Sequence, residues 1–339
     1  MIPQHEREYL RELALSYKQL CETPENNNKR KNWYAINDLV EGTLPVFTNH
    51  YWPLALSEIF PENSYVCKSE EGKEFELYFK TRMFYAQELK DDNVLEPVVY
   101  SKIFFSMEDY TDFETKIEFS SDDVMKTGAY EMIPVLVEEE DVNKISMPKL
   151  FYDKEKSRAY FQFTEELFGD ILIVVKAPYT IPSKIPDEYS WLRGMESTYT
   201  DIYDDPEWMH LALGKIRDNF RQRFLLLEEA GIWGTVDHSE PLGSAGLRYS
   251  KELPDFRDVH EDFFEHKVKL SDSWAFTCAE VFNCVSNDMH DEFGFQYDKG
   301  IVDLFKFMNV GCCEVLDKKI NLAASLPNVR KISVSEWCD

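Results

Sequence analysis

Phe307-Met308-Asn309-Val310-Gly311-Cys312-Cys313-Glu314 is the stretch whose reading decides the fold. Its first four residues are a run that predicts a buried strand, and the chain passes from it directly into two thiols and a carboxylate. A short helical segment, Asp317 to Leu326, stops at Pro327, and Ile332-Ser333-Val334-Ser335 reads as a second strand closed by Glu336-Trp337. Strand, polar tip, helix and strand make a βαβ unit. Such units imply a parallel sheet whose reactive groups gather at the strands' carboxyl ends.

Working outward, Asp205 can cap a helix with Pro206 at its first position, and Met209, Leu213, Ile216, Phe220, Phe224 and Leu227 form its apolar stripe. Gly231 ends it, and Ile232-Trp233-Gly234-Thr235-Val236 reads as a strand tipped by Asp237-His238-Ser239-Glu240. Further candidate strands are Leu44 to His50, Asn93 to Tyr100 and Ile171 to Val175. Glu6 to Cys21 and Lys154 to Leu167 read as helices, as do Trp274 to Cys284 and Ser286 to Phe305. Pro24 to Lys31 reads as a polar loop and Tyr189 to Gly194 as another. From about 101 to 147 the apolar residues alternate, which predicts an antiparallel ribbon. This gives a helical lead-in at 1–43 and an α/β body at 44–339 that carries the ribbon.

At 339 residues and 44% hydrophobic, the chain can bury a full core, and one α/β barrel is the first choice over two domains. With 37 basic against 63 acidic residues the formal charge is -26, which argues against nucleic acid and anionic membrane surfaces as partners. No apolar run reaches the roughly 20 residues of a membrane span, and the start Met1-Ile2-Pro3-Gln4-His5-Glu6 does not read as a signal peptide. A cytoplasmic protein is expected. Its seven irregularly spaced cysteines read as reduced thiols.

Three strings carry a resemblance: Val285-Ser286-Asn287-Asp288-Met289-His290-Asp291-Glu292-Phe293, Val310 to Leu316, and Leu326 to Ser335. They resemble bacterial proteins of the uroporphyrinogen decarboxylase superfamily, with weaker likeness at Glu139 to Val142, Met147-Pro148 and Trp191 to His210. The resemblance implies a TIM-type (β/α)8 barrel, a small-molecule substrate and one of two chemistries. One is methyl transfer between a corrinoid (cobalamin) carried on a partner protein and an acceptor, with zinc held by a His-X-Cys pair and a later cysteine. Cys313 matches the cysteine of that pair, while Gly311 stands where the histidine would be. The other is cofactor-free decarboxylation of a tetrapyrrole or another acidic substrate. It uses an arginine-rich opening motif, and Thr48-Asn49-His50-Tyr51-Trp52 holds no arginine. Relatives continue past the position of Asp339, so the barrel is expected to lack its last βα unit, as a fragment or a shortened form. Open edges of that kind need cover, and a homodimer stays open.

Strand tips that converge on one mouth supply the expected site. Cys313, Cys312 and His238 are the candidate metal ligands, and zinc is the metal such donors suit. His238, Glu314 and Glu96 are the candidate acid-base groups. Asn49, His50 and Trp52 would line the mouth, with Lys176 and Arg193 to hold an acidic substrate. The ordinary reading stands beside each: cysteines packed inert, histidines bonded to loop amides, a lysine snorkelling to the rim. A barrel that binds a ligand without catalysis is the third functional reading.

Overall fold

The computed structural model describes residues 2–48, 53–109, 117–119 and 130–339. It divides into two compact units: Met1–Phe104 with Asp153–Tyr179 and Gly234–Val268, and Phe105–Tyr152 with Thr180–Trp233 and Lys269–Asp339. The described strands are β1 Val98–Ser101, β2 Phe105–Glu108, β3 Ile117–Phe119, β4 Tyr130–Met132, β5 Lys149–Tyr152, β6 Ile173–Lys176, β7 Trp274–Thr277, β8 Phe307–Val310 and β9 Val329–Ile332.

In the first unit β1 and β6 pair in parallel, Val98 opposite Ile173. Helices Gln4–Cys21, Glu70–Phe84 and Lys154–Phe168 close a core in which Leu10, Phe79, Phe168 and Val99 are buried. The polar run expected to be a loop is instead the helix Pro24–Asn37. Its signals are local: Thr23 accepts from the Asn26 amide, Pro24 holds the first turn, and Asn26, Lys29, Trp33 and Asn37 form a buried face. Polar residues can occupy that face because they are bonded; the Asn26 amide group donates to the carbonyls of Cys21 and Leu95 and accepts from the Leu95 amide.

In the second unit β7, β8 and β9 form a parallel sheet in that order, while β2 pairs with β5 and β3 with β4, both antiparallel. The helix Pro206–Ala230 has the expected cap, Asp205 accepting from the Trp208 amide. The βαβ unit of the quoted stretch is present, with the helix Ile320–Ser325 between β8 and β9. Its second strand starts earlier than Ile332. The helix Ile185–Arg193 covers a segment read as a loop.

The (β/α)8 barrel, complete or lacking its last βα unit, is overturned. The described strands lie in three two-stranded sheets and one three-stranded sheet, and no eight-stranded barrel closes among them. Two of the expected barrel strands are absent for visible reasons. Leu44 to Thr48 pairs with no strand, and Leu44 and Val46 stay 71% and 69% exposed. Ile232 to Val236 is broken at Gly234, whose φ of 78° turns the chain after a single bridge to Tyr179. A strand stands where a helix was expected, at β7, because an apolar run this short has no periodicity to separate the two. No helix among the described residues is long and apolar enough to cross a membrane.

Candidate functional site

The second unit assembles a donor group at the carboxyl ends of β7 and β8. After Val310 the chain turns at Gly311, whose φ is 88°, a conformation open to glycine. A Cβ there would also meet Leu316 Cδ1 at 2.4 Å, so that side chain would have to shift. Alternation along an extended strand would put Cys312 and Cys313 on opposite faces. The turn instead brings their sulfurs to 3.6 Å. With Glu280, which follows β7, they place one ligand atom each within 4.8 Å of the others. Lys184 Nζ lies 4.0 Å from the Glu280 carboxylate.

This donor set fits zinc. Two sulfurs about 2.3 Å from a tetrahedral zinc stand about 3.8 Å apart, close to the separation found here, and a carboxylate is a usual third ligand. Three protein ligands leave a fourth position open, the arrangement of catalytic sites. Glu314, expected as an acid-base group, holds the two loops together. Its Oε1 accepts from the Ala279 amide at 2.6 Å and its Oε2 from the Cys312 amide at 2.5 Å.

Beneath these loops are two buried carboxyl groups that sequence reading missed. Asp187 accepts from the amides of Glu280 and Val281, and burial pushes its pKa up to about 6. Asp298 accepts from the Thr277 hydroxyl at 2.7 Å, and burial pushes it up to about 7. Glu280 was missed because its segment read as helix. Had β7 been read as a strand, Glu280 would have been sought at its tip.

His238 belongs to the first unit, and the donor group described above lies within the second. The Nε2 of His238 lies 3.1 Å from the Pro254 carbonyl oxygen, and burial lowers its pKa to about 4. Glu96 is fully buried and clamped. Arg30 donates to both of its oxygens at 2.7 and 2.9 Å, Arg257 to Oε2 at 2.5 Å and the Tyr249 hydroxyl to Oε1 at 2.7 Å. That is a structural anchor with little room for a substrate. Lys176 donates to the His266 carbonyl at 2.6 Å, and burial lowers its pKa to about 8. Arg193, in the second unit, spends its guanidinium on Asp201 and the carbonyls of Leu136 and Val137. Asn49, His50 and Trp52 lie outside the described residues.

A second group, unforeseen, occupies the first unit. The Tyr100 hydroxyl stands 2.7 Å from both Asp237 Oδ2 and Glu240 Oε1. Burial and these neighbours hold its own pKa well above the usual phenol value, so it keeps its proton. One phenolic hydrogen cannot serve two ionised carboxylates. Accordingly burial, with the charges of Glu96 and Glu240 adding to it, pushes Asp237 up to about 6. Arg82 donates to Glu240 Oε1 at 2.6 Å, and both line a cavity of about 230 Å³. The sequence signal was the acidic tip Asp237 to Glu240, in which His238 drew the attention.

No family model, no curated protein and no solved structure matches the chain.

Proposed function

We propose that the chain is a zinc-dependent enzyme that transfers a small group, methyl in the first instance, to or from sulfur at Glu280, Cys312 and Cys313. The observation that carries this is the convergence of two thiols and a carboxylate, all within 4.8 Å, beyond the carboxyl ends of adjacent parallel strands. The resemblance of the last third of the sequence adds methyl transfer and a corrinoid carried on a partner protein. The barrel implied by that resemblance is no part of the support.

Zinc held there would lower the pKa of a thiol or water at the fourth position. The chain's own residues prepare that position. Gly311 turns both sulfurs to one side, Glu314 ties the Cys312 loop to the loop after β7, and Lys184 orients Glu280. The acceptor's sulfur then takes the methyl carbon, the new carbon–sulfur bond forming as the donor keeps the electron pair of the bond that breaks. Vicinal thiols of this kind work in a reducing compartment, which favours the cytoplasm.

The cofactor-free decarboxylase reading has less support, since its two proposed cationic anchors, Lys176 and Arg193, are engaged within the protein. The test is metal analysis and zinc titration of the full chain, followed by demethylation of methylcobalamin in the presence of a thiol. One equivalent of zinc, lost in Glu280→Gln and Cys313→Ser, and zinc-dependent demethylation are expected. Absence of zinc uptake overturns the reading. Zinc uptake with no turnover of any methyl donor reduces it to a binding protein.

A further inference from the structure

We propose that Cys312 and Cys313 close into a reversible vicinal disulfide, so that oxidation empties the donor group and switches the chain off. The switching rests on the zinc reading above, whereas the disulfide does not. Adjacent cysteines in an extended strand point to opposite faces, too far apart to bond. The turn at Gly311 removes that obstacle and sets the two sulfurs 3.6 Å apart, within reach of the about 2.05 Å of a disulfide.

The covalent geometry of the pair makes the bond reversible. Neighbouring Cα atoms are about 3.8 Å apart across a trans peptide, short of the roughly 4.4–6.8 Å usual in disulfides. Closure therefore stores strain, and a strained, accessible disulfide is readily reduced. The thiol form is the resting state in a reducing compartment, and a shift of the thiol pool towards disulfide closes the pair.

Exposure sets the order of attack, since Cys313 is exposed and Cys312 half-buried. The Cys313 thiolate attacks one sulfur of a low-molecular-weight disulfide such as oxidised glutathione, and one thiolate leaves. The Cys312 thiolate then attacks the Cys313 sulfur and expels the second. The pair gives up two electrons, the oxidant gains both, and its two thiolates take protons from water. Zinc departs as the divalent ion because Glu280 alone remains, against the three or four ligands that zinc takes. Lys184, 4.0 Å from the Glu280 carboxylate, stays to offset its charge. Other thiols are placed less well. Cys21, Cys67 and Cys278 are buried, which raises their pKa values and keeps them protonated. The Cys338 sulfur lies 3.8 Å from the Glu314 carbonyl oxygen and is the nearest rival.

The test treats the full chain, with and without zinc, with glutathione buffers of rising disulfide fraction. Intact mass, peptide mapping and a chromophoric zinc chelator supply the readings. Loss of two hydrogens, mapped to a bond between Cys312 and Cys313, is expected, with release of the bound zinc and full return on adding dithiothreitol. Cys312→Ser and Cys313→Ser should each abolish that loss, and Cys284→Ser and Cys338→Ser should keep it. A stable glutathione adduct at Cys313, a bond mapped to Cys338, or an oxidised chain that retains its zinc overturns the proposal. A disulfide in a chain that takes up no zinc overturns the zinc reading and the switching with it. Zinc uptake without any disulfide overturns this proposal alone.

Discussion

The carboxylate of Glu96 has no solvent exposure, and Arg30 grips both of its oxygens, Nε to Oε1 at 2.7 Å and Nη2 to Oε2 at 2.9 Å. Breaking a buried pair costs about 3–5 kcal/mol, and with Arg257 and Tyr249 still bonded to the carboxylate the loss of Arg30 falls at the lower end of that range. Arg30→Ala should therefore lower unfolding stability in denaturant titrations by about that much. Arg257 also bonds Glu96, but its side chain is 43% exposed, so Arg257→Ala should cost clearly less. Equal and small losses for the two variants would show that water reaches the carboxylate.

Asp237 gives a prediction with a definite sign. Its folded pKa, about 6, lies above the ordinary aspartate value because the group is buried beside other carboxylates. The folded state therefore holds the proton more tightly than the unfolded chain does. Its contribution is most favourable at low pH and is lost as pH rises from about 4 through 6. Asp237→Asn removes that dependence. An Asn amide oxygen can keep the bonds from the Ser239 amide and hydroxyl, and its NH2 can donate to Tyr100, whose hydrogen then serves Glu240. The variant should be more stable than the parent at pH 8, with the gap closing towards pH 4. A gap that widens on acidification would contradict the shared-proton geometry.

His290 titrates in the opposite sense. It is 1% exposed in the second unit, stacked on Phe295 with ring centres 4.3 Å apart, and its Nδ1 has no partner among the described residues. Burial lowers its pKa to about 3. The unfolded chain takes up a proton near pH 6.5 that the folded chain refuses, so stability is full above that pH and falls as pH drops towards 3. His290→Phe should flatten this acid-side loss and, by removing an unsatisfied ring nitrogen, hold or raise stability at pH 7. The measurement is denaturant midpoint against pH for both chains.

These sites show what the sequence could carry. The long helix from Pro206 was legible because cap, proline and stripe agree, and β6 and β8 were legible as apolar runs bounded by polar tips. The helix Pro24–Asn37 was hidden because its buried face is made of Asn26, Lys29 and Asn37, and β7 because it is too short to show a period. The error that mattered most lay in counting strands: Leu44 to Thr48 and Ile232 to Val236 have strand-like composition but no strand partners. Partners are a long-range property that local composition does not encode. The thiol pair was legible as chemistry, whereas Glu280 depends on β7 lying beside β8, a tertiary fact.

The thiol pair depends on one backbone torsion. Gly311 sits at φ 88°, and an added Cβ would lie 2.4 Å from Leu316 Cδ1, so Gly311→Ala faces both torsional strain and a clash. Strain of this kind costs about 1–3 kcal/mol. Leu316→Ala removes the clash and leaves the torsion. Gly311→Ala should lower the melting temperature and weaken zinc uptake, and the double variant should recover little of the zinc affinity, because the torsion is what brings Cys312 and Cys313 to the same side. Cys284→Ser, at an exposed thiol outside the donor group, should leave zinc uptake unchanged. Full recovery of zinc binding in the double variant would place the constraint in the Leu316 side chain and not in the turn.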